Sequence, residues 1–200
     1  MNDDHPPRER RGDGADWRDP WPPVGVRSDP PLPSVGLNTL RAQGYGAIFD
    51  VDPIDADRDA WQDHLNNAAM VRMFNELRMA YSARHLAPDW PRHLRRSGAM
   101  VVVRELHVRY DREGWMHERF VGAMRVAGRR GRAAIVEQAL VEAESGASLA
   151  EAWLVQLLVG ADGRVADFPD LYWDRVTEVQ GGPVPVSHDD TRIPWGPPAT

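Results

Sequence analysis

The chain has 200 residues, with 24 basic against 30 acidic side chains and a formal net charge of −6, which argues against a general nucleic-acid binder, since such a protein needs a basic surface. It has no cysteine, which excludes disulfides and a cysteine nucleophile. It also has no lysine, all 24 basic residues being arginine, which excludes Schiff-base chemistry and with it a pyridoxal-phosphate enzyme. Thirteen of the 17 prolines fall in residues 1–34 or 181–200, where apolar periodicity is absent. These ends read as disordered Pro-rich arms, residues 1–37 and 181–200, flanking one domain of residues 38–180. Arg8, Arg10, Arg11, Trp17 and Trp21 accordingly read as part of a solvated tail rather than a docking arm. No apolar run approaches the ~20 residues of a membrane span, and the N-terminus has no apolar signal core. A cytoplasmic protein with neither membrane nor nucleic-acid partners is expected.

In chain order, Tyr45 to Val51 predicts a first strand, ended by Asp52-Pro53. Residues 52–66 form an acidic loop with Asp52, Asp55, Asp57, Asp59 and Asp63. Carboxylates suit a hard cation, but the loop lacks the glycine and terminal glutamate of an EF-hand, so a solvated loop without metal is expected. From Met70 the apolar positions Met70, Met73, Phe74, Leu77 and Tyr81 step by three and four residues. That spacing predicts an amphipathic helix reaching about Leu86. Asn66 or Asn67 can cap its start by accepting from first-turn N–H groups. Arg72 and Glu76, four residues apart, are expected to pair on its solvent side. Residues 87–98 read as a connection. Four strands follow, Met100–Tyr110, Glu118–Ala127, Arg132–Ala143 and Leu149–Gly160, and a short helix begins after Phe168-Pro169-Asp170. Short turns at 111–114, 128–131 and Ser145-Gly146 make the strands antiparallel. A helix with one apolar stripe must bury it. The order therefore predicts an α+β fold in which a curled antiparallel sheet of about five strands wraps the long helix.

Polar residues cluster where that helix begins, and its free N–H groups favour an anion or a developing oxyanion. His64-Leu65-Asn66-Asn67-Ala68, followed by Met73-Phe74-Asn75-Glu76-Leu77-Arg78 and Tyr81, resembles the signature of hotdog-fold acyl-CoA thioesterases of the 4-hydroxybenzoyl-CoA thioesterase-like group. The group's pattern is Asp, a few residues, His-Val-Asn-Asn-Ala, then an aromatic-rich helix carrying Glu and Arg. Element order extends the likeness more loosely from about Tyr45 to Val179. The resemblance implies a hotdog fold and hydrolysis of an acyl-CoA or acyl-carrier thioester. It implies no cofactor beyond the coenzyme A of the substrate, and a homodimer or homotetramer with sites at the subunit boundary.

One position departs from the pattern. The group's catalytic Asp lies four residues before the His; here that position is Ala60, and Asp59 lies five before. A one-residue insertion restores Asp59, or Asp63 beside His64 has taken the role, or catalysis is lost; the spacing does not choose. The resemblance thus implies a catalytic carboxylate at Asp59 or Asp63. It leaves His64 as a base or as a hydrogen-bond partner of the loop, and has Asn67 orienting water or substrate. Glu76 reads as a surface residue and Glu137 as a reserve carboxylate. Arg129, Arg130 and Arg132 are the densest cationic cluster for the phosphates of coenzyme A.

Other chemistries lack their parts. The chain has no Gly-x-Ser-x-Gly elbow, phosphate loop, dinucleotide glycine fingerprint or zinc-ligand spacing. Two alternatives stay within the fold. One is a non-catalytic protein that binds an acyl thioester. The other is a dehydratase or hydratase, which needs a histidine paired with a carboxylate.

Overall fold

The computed structural model describes residues 26–27, 31–87 and 89–187. Its strands are β1 (Val26–Arg27), β2 (Ala47–Val51), β3 (Met100–Tyr110), β4 (Phe120–Arg130), β5 (Ala133–Glu142), β6 (Ser148–Val159), β7 (Val165–Ala166) and β8 (Val186–Ser187). Its helices are α1 (Val35–Ala42), α2 (Asn67–Arg84), α3 (Asp89–Ser97) and α4 (Asp170–Gln180). One curled sheet runs in the order β1-β2-β4-β5-β6-β3, with β7 on β6 and β8 on β4. All pairings are antiparallel except that of β8.

The long helix is buried as its periodicity requires. Met70, Met73, Phe74, Leu77 and Tyr81 are all at most 2% exposed. Each such side chain removed from water contributes about 1.5–3 kcal/mol. The opposing sheet face carries Phe120, Met124, Val136, Leu140, Leu154 and Leu158 in the same cluster. Gly122 marks the closest approach: a Cβ there would lie 2.6 Å from Leu77 Cδ1 and 3.0 Å from Leu140 Cδ2. Gln138, on the inner face, donates from Nε2 to the Phe74 carbonyl at 2.7 Å and so ties sheet to helix. Its neighbour Glu137 is on the other face and pairs with Arg125 at 2.7 Å.

Two helices lie where the sequence predicts none. α1 is capped by Ser34, whose Oγ accepts from Leu37 N at 3.1 Å, and Leu40 covers the outer sheet face over Val121, Ala123 and Val141. α3 replaces the expected connection. It inserts Trp90, 1% exposed, between Tyr172 and Phe168, with ring centroids 4.9 and 5.9 Å away. The folded chain also reaches past the boundaries at 38 and 180. Val26 pairs with Val51, Leu32 N donates to Asp50 at 2.8 Å, and Val186 pairs with Arg129. The rest of both arms, with Arg8, Arg10, Arg11, Trp17 and Trp21, lies outside the described residues.

His85 closes α2 and rests its ring against Tyr81 and Phe49, centroids 5.5 and 5.7 Å away. Burial, and then the neighbouring Arg84 charge, hold its pKa below the ordinary 6.5. The unfolded chain therefore takes up this proton at higher pH than the folded one. The stability that depends on neutral His85 is complete above about pH 6.5 and is lost as the pH falls through the lower, folded value. Melting temperature is expected to fall less steeply on acidification in His85→Leu than in the parent. Equal slopes from pH 7 to 5 would contradict this.

Candidate functional site at the start of the long helix

The acidic loop is organised by a buried ion pair. Asp57, in a short 3-10 turn (Asp55–Asp57), is 1% exposed. Its carboxylate accepts from Arg72 Nε at 2.7 Å, Arg72 Nη2 at 2.5 Å and Ile54 N at 2.8 Å. Arg72 thus takes Asp57, from outside its own helix, as a partner. A buried carboxylate that accepts two guanidinium N–H groups at once is a stronger partner than a surface residue one turn along the helix.

From this anchor the chain forms a small hairpin. Arg58 bridges Leu65, and Asp59 N donates to the His64 carbonyl at 2.9 Å. Leu65 N continues the ladder to the Gly114 carbonyl at 2.7 Å, and His64 bridges Trp115. Asn66 then caps α2: its Oδ1 accepts from Ala69 N at 2.8 Å, and its amide reaches the carbonyls of Ala56 and Arg58 at 3.3 and 3.4 Å. Of the two amides, Asn66 is therefore the cap. Asn67 is the exposed first residue of the helix, and its carbonyl accepts from the Tyr110 hydroxyl at 3.4 Å. The N–H groups of Asn67 and Ala68 have no carbonyl one turn back, so they face outward from the helix start.

The hairpin brings Asp59, Asp63 and His64 together but gives them different surroundings. Asp59 is half-buried, and its Oδ1 accepts from Trp61 N at 2.9 Å. Asp63 is exposed and paired with Arg58. His64 is half-buried, edge-on to Trp115 at 6.2 Å, and its buried Nδ1 has no hydrogen-bond partner. Among the described residues no carboxylate hydrogen-bonds to His64 Nδ1. Among the described residues no group of three or more His, Asp or Glu is placed to hold a metal ion.

The arginine cluster stands apart. Arg129 lies over the Trp173 ring at 4.9 Å, and Arg132 donates to the Val165 carbonyl at 3.0 Å. The helix start packs near Phe120, at the first residue of β4, whereas these arginines sit around its last. Ten strand steps separate the two ends, roughly 33 Å.

This arrangement of helix and sheet has known relatives. A family model of the thioesterase-like superfamily matches residues 58–178. The chain belongs to the thioesterase-like superfamily. A search among curated proteins found no match. Among solved structures, a thioesterase from Thermus thermophilus complexed with coenzyme A and Zn is 23% identical, with a TM-score of 0.60 over 71% of this chain and 99% of that one. A thioesterase-superfamily protein from Jannaschia is 22% identical, with a TM-score of 0.59 over 78% and 98%. A 1,4-dihydroxy-2-naphthoyl-CoA thioesterase from Synechocystis is 11% identical, with a TM-score of 0.59 over 66% and 95%. At such identities the likeness is one of fold. This thioesterase-like chain has the hotdog fold, and the family match covers the acidic hairpin from Arg58, all of α2 and nearly all of α4.

The buried Asp57–Arg72 pair was not legible in the sequence. Asp57 is one of five aspartates in the loop, and nothing local sets it apart.

Proposed function

We propose that the chain hydrolyses an acyl-CoA or acyl-carrier thioester, with Asp59 as the carboxylate that activates water. The observation that carries this reading is the hairpin in which Asp59 lies directly across from His64, beside the capped start of α2. The loop absorbs the extra residue, so the one-residue shift leaves Asp59 facing the histidine. Asp63 is the less available carboxylate, because Arg58 already pairs with it at the surface. In the reaction the water oxygen bonds to the thioester carbonyl carbon and its proton passes to Asp59. The N–H groups of Asn67 and Ala68 receive the oxyanion. The C–S bond then breaks, and the thiolate takes the proton. The Asn67 side chain is exposed at this point and orients water or substrate. Water and carboxylate suffice, so we assign no cofactor beyond the coenzyme A of the substrate. The cysteine-free composition fits a reducing, cytoplasmic setting. Among the described residues no helix is long and apolar enough to cross a membrane.

β3 supports an oligomer. Among the described residues it is an 11-residue edge strand paired on one side only. Met100, Val103, Leu106 and Tyr110 are exposed along it. A long apolar edge needs a cover, and a second copy pairing antiparallel along β3 supplies one. Two-fold pairing sets the Met100 end of each β3 beside the Tyr110 end of the other, and Tyr110 touches the start of α2. The hairpin arginines occupy the Met100 end of the sheet, so Arg129, Arg130 and Arg132 serve the partner's helix start in this arrangement. Light scattering is expected to give at least twice the 22.5 kDa of one chain, falling to one copy in Leu106→Arg. A parent that is monomeric at micromolar concentration would contradict the shared site.

The test of the activity is thiol release from short, long and aromatic acyl-CoA substrates. Turnover well above the uncatalysed rate is expected with at least one. No turnover, together with thermal stabilisation by an acyl-CoA, would favour the binding protein, the reading that the shifted aspartate supports.

A further inference from the structure

A second feature lies at the other end of α2. A cavity of about 350 Å³ opens between the C-terminal half of α2, α3 and the beginning of β3. Most of its wall is apolar, including Leu86, Trp90, Leu94 and Met124. Into this wall, beside Ser82 and Tyr172, the fold sets Arg78, Tyr81 and Gln156. Tyr81 is 1% exposed and Gln156 3% exposed. The Tyr81 hydroxyl, Gln156 Nε2 and Arg78 Nε are all buried and have no hydrogen-bond partner. Unpaired buried donors are costly and rare. Three around one apolar cavity point to a ligand that completes them.

The donor set identifies the ligand's chemistry. Arg78 hydrogen-bonds Asn75 through Nη2 at 2.5 Å but has no carboxylate partner among the described residues. Burial works against its charged form. A guanidinium in an apolar wall, joined by an amide N–H and a phenol, matches a carboxylate, which accepts from planar forks and single donors together. At roughly 30 Å³ for each water-sized group, the cavity holds an acid of about a dozen non-hydrogen atoms.

We propose that this cavity binds an apolar carboxylic acid group, its carboxylate held by Arg78, Tyr81 and Gln156. That carboxylate has two possible sources. It belongs either to the free acid released by hydrolysis or to a second, distal carboxyl carried by the acyl group of the substrate. The choice between these sources, though not the binding itself, rests on the thioesterase reading above. In the two-fold pair proposed there, Met100 and Val101 at the cavity wall come beside the other copy's helix start, so an acyl group entering from that site reaches the cavity.

The test compares acids with their neutral isosteres on the full chain. Calorimetric titration with hexanoate and phenylacetate, and with hexanamide and phenylacetamide, should show each acid binding at least tenfold tighter than its amide. Arg78→Met should remove that preference and leave amide binding unchanged. Tyr81→Phe and Gln156→Leu should each weaken the acid by about three- to tenfold. Should Arg78→Met fail to fold, Arg78→Gln gives the same comparison. Gln156→Leu should also keep or raise the melting temperature without ligand, since it deletes an unpaired donor. Equal binding of acid and amide, or a preference that survives loss of Arg78, would overturn the proposal. The sources separate by hydrolysis of glutaryl-CoA against butyryl-CoA. A loss of kcat/KM in Arg78→Met confined to glutaryl-CoA assigns the distal carboxyl, and equal kinetics assign the product acid. If no acyl-CoA is hydrolysed, the thioesterase reading fails while the acid-against-amide comparison still decides this site.

Discussion

Substituting Asp57 by Asn, or Arg72 by Met, is expected to lower the stability of the domain by about 3 kcal/mol or more. Breaking a buried ion pair from one side typically costs about 3–5 kcal/mol, because the remaining charge loses a partner in a site with little water. The Arg72 side chain keeps 22% of its surface in solvent while that of Asp57 keeps 2%, so the effect belongs at the lower end of that range. The pair also holds the first turn of the loop through Ile54 N, and the Asp57 carbonyl accepts from Asn66 N at 2.8 Å. Loss of either partner therefore loosens the hairpin that presents Asp59 and His64, and activity should fall with stability. The double variant Asp57→Leu with Arg72→Met removes both charges and should recover a large part of the loss. Urea denaturation reads all three. Single variants within 1 kcal/mol of the parent would show that the pair is not a structural anchor.

Substituting Asp59 by Asn is expected to leave the fold intact and lower kcat/KM at least about 100-fold. General-base assistance is worth about 10²- to 10⁴-fold. Asn can still accept the Trp61 N–H that Asp59 Oδ1 now receives, so the loop keeps its turn. Asn cannot take a proton from water at neutral pH. Asp63→Asn is the control. It removes an exposed ion pair with Arg58, worth at most about 1 kcal/mol, and should change kcat/KM by less than about threefold. A reversal of the two effects would move the catalytic role to Asp63.

Much of this architecture was legible in the sequence because it rests on periodicity. The three- and four-residue steps from Met70 to Tyr81 fall on the buried face of α2 without exception. Strand β3 begins and ends at the residues its alternation marks. What escaped depends on contacts far apart in sequence. α1 has only Leu37 and Leu40 as buried apolar side chains beside Gly36, too few for a periodic signal, and it forms because the outer sheet face needs cover. α3 follows Pro88, which reads as an end, yet Trp90 finds an aromatic pocket made by Phe168 and Tyr172, far along the chain. The Asp57–Arg72 pair escaped for the same reason: Asp57 is 15 residues from Arg72 in sequence and adjacent in space. At the site, the His-Leu-Asn-Asn-Ala run marked the helix start, but the different surroundings of Asp59 and Asp63, one half-buried and one exposed beside Arg58, depend on the hairpin. Arg78 and Tyr81 were visible as members of the helix pattern. Their unpaired donors became apparent only once Gln156 was placed beside the same cavity.

The most direct test of hydrolysis at the start of α2 is one paired measurement on the parent and Asp59→Asn. It combines steady-state thiol release from whichever acyl-CoA the parent turns over with the rise in melting temperature that the same acyl-CoA produces. The proposed mechanism predicts that Asp59→Asn keeps the thermal stabilisation and loses at least about 100-fold in turnover. Turnover by Asp59→Asn equal to that of the parent would contradict it.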